Sequence, residues 1–114
     1  YTLSWPDRMN INMPRLDLSK VGLLEFYDPD KDKFPALRLA RESIKSGGSA
    51  CLAFNAANEI AVAEFLAGKI RFTDIVTLVE KVLEKNIKAG PKSIEEVILM
   101  DNEVRKYTES IVGA

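Results

Sequence analysis

The chain contains no histidine, and this absence removes the side chain that most often serves as a general base or a metal ligand. Cys51 is the single cysteine, so neither an intramolecular disulfide nor a zinc site built from several cysteines can form within the chain. No apolar run reaches the roughly 18–20 residues that a membrane-spanning helix requires. The first residues lack the basic and apolar stretches of a signal peptide, and a start at Tyr1 without methionine indicates a cut or processed end.

A surplus of positive charge is also missing. The 114 residues carry 16 basic and 17 acidic side chains, for a net charge of −1. A protein that binds nucleic acid or an anionic membrane normally shows a basic surplus or stripe, because the neutralisation of phosphate drives that binding. We therefore expect neither partner. Hydrophobic residues make up 46% of the chain, which is enough to build the packed core of one modest domain.

The prolines divide the chain near residue 33. Pro6, Pro14 and Pro29 fall in the first part, and proline removes an amide donor and interrupts helices and central strands. We therefore expect a mostly extended connector here. One short strand is predicted within it, at residues 21–27 (VGLLEFY).

Beyond residue 33, the apolar residues follow a helical period and predict four helices. The connections between them are short, which favours a mainly α fold, a small four-helix bundle. Residues that commonly begin or end helices flank the predicted segments. The predicted helices span residues 35–45, 49–67, 74–85 and 94–111, with Ser49, Thr73 and the Ser93–Glu96 pair as N-terminal caps and Gly47 and Gly68 as stops.

The second predicted helix differs from the others because apolar residues surround most of its circumference. A helix of this kind lies at the centre of a bundle and packs on several sides. Its many alanines would allow the neighbouring helices to approach closely. Phe65, near its end, is predicted to be a core residue, so that Phe65→Ala would cost about 3–5 kcal/mol.

A polar triplet interrupts this apolar helix. Asn55, Asn58 and Glu59 stand at positions i, i+3 and i+4, so they share one helical face. The triplet forms either a patch that contacts a ligand or another domain, or a structural network in which Glu59 pairs with an arginine such as Arg38 or Arg41. We prefer the network, because polar groups in protein interiors normally need such partners.

Two other motifs each lack a required residue. The carboxylates of residues 28–32 (DPDKD) are spaced like those of a calcium-binding loop, but Lys33 and Leu39 stand where the loop needs glycine and glutamate. Residues 46–49 (SGGS) precede a helix, as in a phosphate-binding loop, but the lysine of that motif is absent. We interpret both segments as turns. Cys51 lies in an apolar stretch without an evident activating base, which indicates an unreactive thiol.

Four strings of the sequence follow one another in the order seen in a known family. They are residues 1–8 (YTLSWPDR), 34–40 (FPALRLA), 54–66 (FNAANEIAVAEFL) and 70–75 (IRFTDI). Together they resemble the C-terminal part of the 1-deoxy-D-xylulose 5-phosphate reductoisomerase family. The resemblance covers about residues 1–84 without obvious gaps, and after Ser93 only the helical pattern remains.

The resemblance implies an enzyme whose larger part lies upstream of this chain. The family converts 1-deoxy-D-xylulose 5-phosphate to 2-C-methyl-D-erythritol 4-phosphate by rearrangement and NADPH reduction, in non-mevalonate isoprenoid biosynthesis. It uses magnesium or manganese and forms homodimers, in the bacterial cytoplasm or the plastid stroma. Each subunit has a dinucleotide-binding domain, a central catalytic domain and a C-terminal helical bundle.

On this resemblance, residues 1–33 form the tail of the catalytic domain and a connector, and residues 34–114 form the C-terminal bundle domain. The family's catalytic, cofactor-binding and metal-binding residues have no matching positions here, so we expect none of them in this chain. Its partner would be the catalytic domain of the same polypeptide. The alternative is a stand-alone helical module that binds another protein through an apolar groove formed by Val97, Met100 and Val104.

Overall fold

The computed structural model describes residues 2–86 and 89–112, and this part of the chain is mainly α-helical. A single short helical turn precedes four longer helices, which confirms the predicted bundle. The helices are α1 (Leu18–Val21), α2 (Ala36–Ser46), α3 (Ala50–Leu66), α4 (Phe72–Asn86) and α5 (Ile94–Ile111).

The end of α2 and the start of α5 follow the predicted local chemistry. Gly47 takes a positive φ of 64° and its N–H donates to the carbonyl of Ser43, which ends α2. Ser93 caps α5, because its hydroxyl oxygen accepts a hydrogen bond of 3.2 Å from the backbone N–H of Glu96. The carboxylate of Glu96 accepts from the backbone N–H of Lys92 at 2.6 Å, one residue earlier than in a standard capping box.

Helix α4 begins two residues earlier than predicted, so Thr73 lies inside the helix and is not its cap. The backbone N–H of Arg71 donates to the carboxylate of Asp74 at 2.9 Å, and the guanidinium of Arg71 binds the same carboxylate. Asp74 therefore satisfies an amide that the first turn leaves without a helical partner. This reciprocal contact lies at the start of α4, in place of the threonine cap that the sequence pattern predicted.

The centre of the bundle is α3, which contacts α2, α4 and α5. This position confirms the prediction made from its apolar circumference. Its buried side chains are all alanines, and their small size lets the backbones of the neighbouring helices come close. The core around them consists of Leu39, Ala53, Ala56, Ala57, Val79, Val82, Leu83 and Val104.

Two residues of α3 are less buried than predicted. Phe65 is half-buried and lies outside the central cluster, with its ring edge-on to that of Phe72 at a centroid distance of 5.8 Å. Truncating Phe65 should therefore cost less than a core phenylalanine would. Cys51 is exposed to solvent. The uniform apolar pattern of the sequence did not reveal that these two positions lie outside the fully buried part of α3.

The connector forms no strand within the described part of the chain. Val21 instead ends the short helix α1, which Asp17 caps by accepting a hydrogen bond from the backbone N–H of Ser19 at 3.1 Å. A strand requires a neighbour with which to exchange backbone hydrogen bonds. Among the residues 2–86 and 89–112, no such neighbour lies beside residues 21–27.

The connector also leaves its large apolar side chains in water. The radius of gyration is 19.2 Å, whereas a compact domain of this length would have about 13 Å. The connector is therefore not folded back into the core of the bundle. Its exposed apolar side chains are Leu3, Trp5, Met9, Ile11, Met13, Leu16, Leu18, Val21, Leu23, Leu24, Phe26 and Tyr27.

Candidate functional site

Two residues of the polar triplet, Asn55 and Glu59, take part in a network that joins α3 to α5. The amide of Asn55 donates to the carboxylate of Glu59 at 3.1 Å. The guanidinium of Arg105 donates to the other oxygen of Glu59 at 2.6 Å, and its Nε donates to Asp101 at 2.6 Å. One arginine of α5 thus holds a carboxylate of its own helix and one of the central helix.

The charges of this network stabilise one another. The hydrogen bond from Arg105 and then that from Asn55 lower the pKa of Glu59 below its ordinary value. Asp101 first and Glu59 second raise the pKa of Arg105. Glu59 and Arg105 therefore remain ionised near neutral pH, and their contact is an ion pair reinforced by hydrogen bonds. Such groups do not exchange protons in this range, which argues against an acid–base role.

The predicted network is therefore present, but the prediction that Arg38 or Arg41 would pair with Glu59 was wrong. Arg38 pairs instead with Glu42 at 3.0 Å and with Glu80 of α4 at 2.6 Å. Glu59 pairs with Arg105 of α5. The spacing of Asp101 and Arg105, four residues apart on one helix, is the local signal that could have identified the pair.

Asn58 is separate from this network and lies in a groove. The groove has a volume of about 590 Å³ and lies between the start of α2, the middle of α3 and the first turns of α4. Its lining is mostly apolar, and two of its phenylalanines are largely exposed, Phe34 at 56% and Phe72 at 71%. The lining consists of Asp32, Lys33, Phe34, Pro35, Ala36, Leu37, Asn58, Val62, Phe72, Thr73, Ile75 and Val76.

The motifs that resemble a calcium-binding loop and a phosphate-binding loop both form turns. One carboxylate oxygen of Asp30 accepts hydrogen bonds from the backbone N–H groups of Asp32 and Lys33, both at 3.0 Å. The turn predicted at residues 28–32 therefore lies slightly later, at residues 31–33. Gly47 and Gly48 both have positive φ and make the turn between α2 and α3. In the part of the chain that the structure describes, no group of three or more acidic or cysteine side chains is arranged to hold a metal ion.

The groove expected along α5 is not formed by the three residues predicted for it. Val104 is only 5% exposed and belongs to the core, and Met100 is half-buried. Val97 is partly exposed and faces outward. None of the helices that the structure describes is long and apolar enough to cross a membrane.

Comparison with known families gives this arrangement its context. Residues 1–107 match the family described as the DXP reductoisomerase C-terminal domain. The chain belongs to this family. The match spans the connector, α2 to α4 and most of α5, which extends the resemblance beyond residues 1–84.

Individual reductoisomerases agree with the assignment. The chain is 51% identical over 105 residues to the enzyme of Zymomonas mobilis and 42% identical over 113 residues to that of Chlorobium limicola. These alignments cover 92% and 99% of the chain but only 27% and 30% of the relatives. The chain thus spans less than a third of the length of the reductoisomerases it matches.

Solved structures of the family contain the same fold. The Zymomonas mobilis reductoisomerase in complex with NADPH superposes with a TM-score of 0.90 at 48% identity, covering 99% of this chain and 30% of that one. A DOX-P reductoisomerase in complex with NADPH, fosmidomycin and magnesium superposes with a TM-score of 0.88 at 39% identity, covering 95% and 29%.

Proposed function

We propose that this chain is the C-terminal supporting domain of a 1-deoxy-D-xylulose 5-phosphate reductoisomerase. The whole enzyme would convert 1-deoxy-D-xylulose 5-phosphate to 2-C-methyl-D-erythritol 4-phosphate with NADPH and Mg²⁺ or Mn²⁺. The family match over residues 1–107 carries this proposal. The complexes of the related enzymes with NADPH and magnesium support the choice of cofactors. The enzyme would act as a homodimer in the bacterial cytoplasm or the plastid stroma.

Within that enzyme, the chain would act by support and not by chemistry. We place no catalytic, cofactor-binding or metal-binding residue in it, because Glu59, the carboxylate of the polar triplet, is held in an ion pair with Arg105. Catalytic side chains must be held within about half an ångström of their working geometry, so a rigid neighbouring domain contributes without touching substrate. An alanine-lined helix wrapped by three others is a rigid body of this kind.

The division near residue 33 fits this role. Residues 1–33 would connect the catalytic domain to the bundle of residues 34–114, and their exposed apolar side chains would be covered by the catalytic domain. Large apolar side chains left in water over such a length usually indicate a surface that another part of the protein covers. The partner of this chain would therefore be the catalytic domain of its own polypeptide.

Deletion of the bundle tests the proposal. The full-length enzyme should consume NADPH in the presence of 1-deoxy-D-xylulose 5-phosphate and Mg²⁺, as followed by NADPH absorbance. A variant that ends at Lys33 should lose soluble folding or activity. The present chain, titrated with NADPH, should show no saturable binding. A truncated enzyme with full turnover would refute the supporting role, and NADPH binding by the chain alone would refute its lack of a cofactor site.

A further inference from the structure

We draw no further inference here: the strongest candidate, the apolar patch that Ile94, Val97 and Ile98 leave exposed on one face at the start of α5, carries none because nothing in the structure shows what covers it.

Discussion

The bundle and the connector contain similar kinds of apolar residue but place them in opposite environments. In the bundle, Leu39 is 4% exposed and belongs to the central cluster. In the connector, Leu23 is 76% exposed. Burial of a leucine side chain contributes roughly 1.5–3 kcal/mol, and the connector gains none of this from the bundle. The comparison teaches that the chain contains one unit with a packed core of its own and one segment whose apolar surface requires another partner.

The difference arises from geometry more than from composition. A helix presents its apolar residues on a continuous stripe, which a neighbouring helix covers along its whole length. The connector has prolines at positions 6, 14 and 29 and only one short helix, so its side chains point in changing directions. Its apolar residues cannot cover one another and need an external surface.

The largest difference in unfolding free energy is expected when one leucine in each region is replaced by alanine. Leu39→Ala should lower the free energy of unfolding of this chain by about 2–5 kcal/mol, because it opens a cavity in the core. Leu23→Ala should change it by less than about 0.5 kcal/mol, since the side chain is already in water. Urea unfolding followed by circular dichroism measures both. Equal losses at the two positions would end the distinction between bundle and connector.

A second substitution tests the close packing of α3. Ala57 is fully buried, so Ala57→Leu should force its neighbours apart and cost about 1–3 kcal/mol. Ala63→Leu, on an exposed face of the same helix, introduces the same side chain and helix propensity without the clash. The difference in unfolding free energy between the two variants isolates the packing. Equal unfolding free energies for the two variants would show that α3 is not tightly enclosed by its neighbours.

A smaller effect is expected at the start of α5. Ser93→Ala removes the hydroxyl that accepts from the backbone N–H of Glu96, and the loss of such a cap costs about 1 kcal/mol. Ser110→Ala, in the last turn of the same helix, should cost less than about 0.5 kcal/mol. Thermal unfolding of both variants measures the difference. A Ser93→Ala variant as stable as the parent would show that the carboxylate of Glu96 alone suffices at this helix start.

The smallest expected effect concerns the pairing of Glu59 with Arg105, and its sign depends on pH. Folding lowers the pKa of Glu59 below its ordinary value of 4.5, so its stabilising contribution is present above that pH and is lost as pH falls through the lower, folded pKa. Glu59→Gln should therefore be less stable than the parent at neutral pH. The difference should shrink as the solution is acidified below pH 4.5.

Urea midpoints across this pH range measure the difference, with Glu109→Gln on the exposed side of α5 as the control. The control should show no comparable narrowing of its difference from the parent. A Glu59→Gln effect that is constant with pH would contradict an ionic contribution from this pair.

The helices could be predicted from local features, and where the prediction missed, the cause is identifiable. The helical period and the flanking serine and glycine residues located α2, α3 and α5 to within one or two residues. The start of α4 was missed because its cap comes from the backbone N–H of Arg71 and the side chain of Asp74, a pattern less distinctive than a capping serine. The strand at residues 21–27 was predicted from composition, but strand formation also needs a pairing partner.

The candidate site was predictable only in part. The sequence indicated that Asn55, Asn58 and Glu59 share a helical face and that Glu59 needs a cation. It could not indicate that Arg105 approaches that face, because the two residues are 46 positions apart and their meeting depends on how α5 crosses α3. Nor could it separate Asn58 from the other two, since its groove is made by residues from three elements.

The amino-acid sequence alone therefore determined where the helices lie, which helix is central and which family the chain resembles. Periodicity, capping and characteristic strings are all properties of residues that are close together in the sequence. Packing decided the partner of Glu59, the exposure of Phe65 and Cys51, and the existence of the groove at Asn58. The physical reason is that an apolar or polar face specifies only that it needs a neighbour, whereas the rotation and crossing of whole helices determine which neighbour it receives.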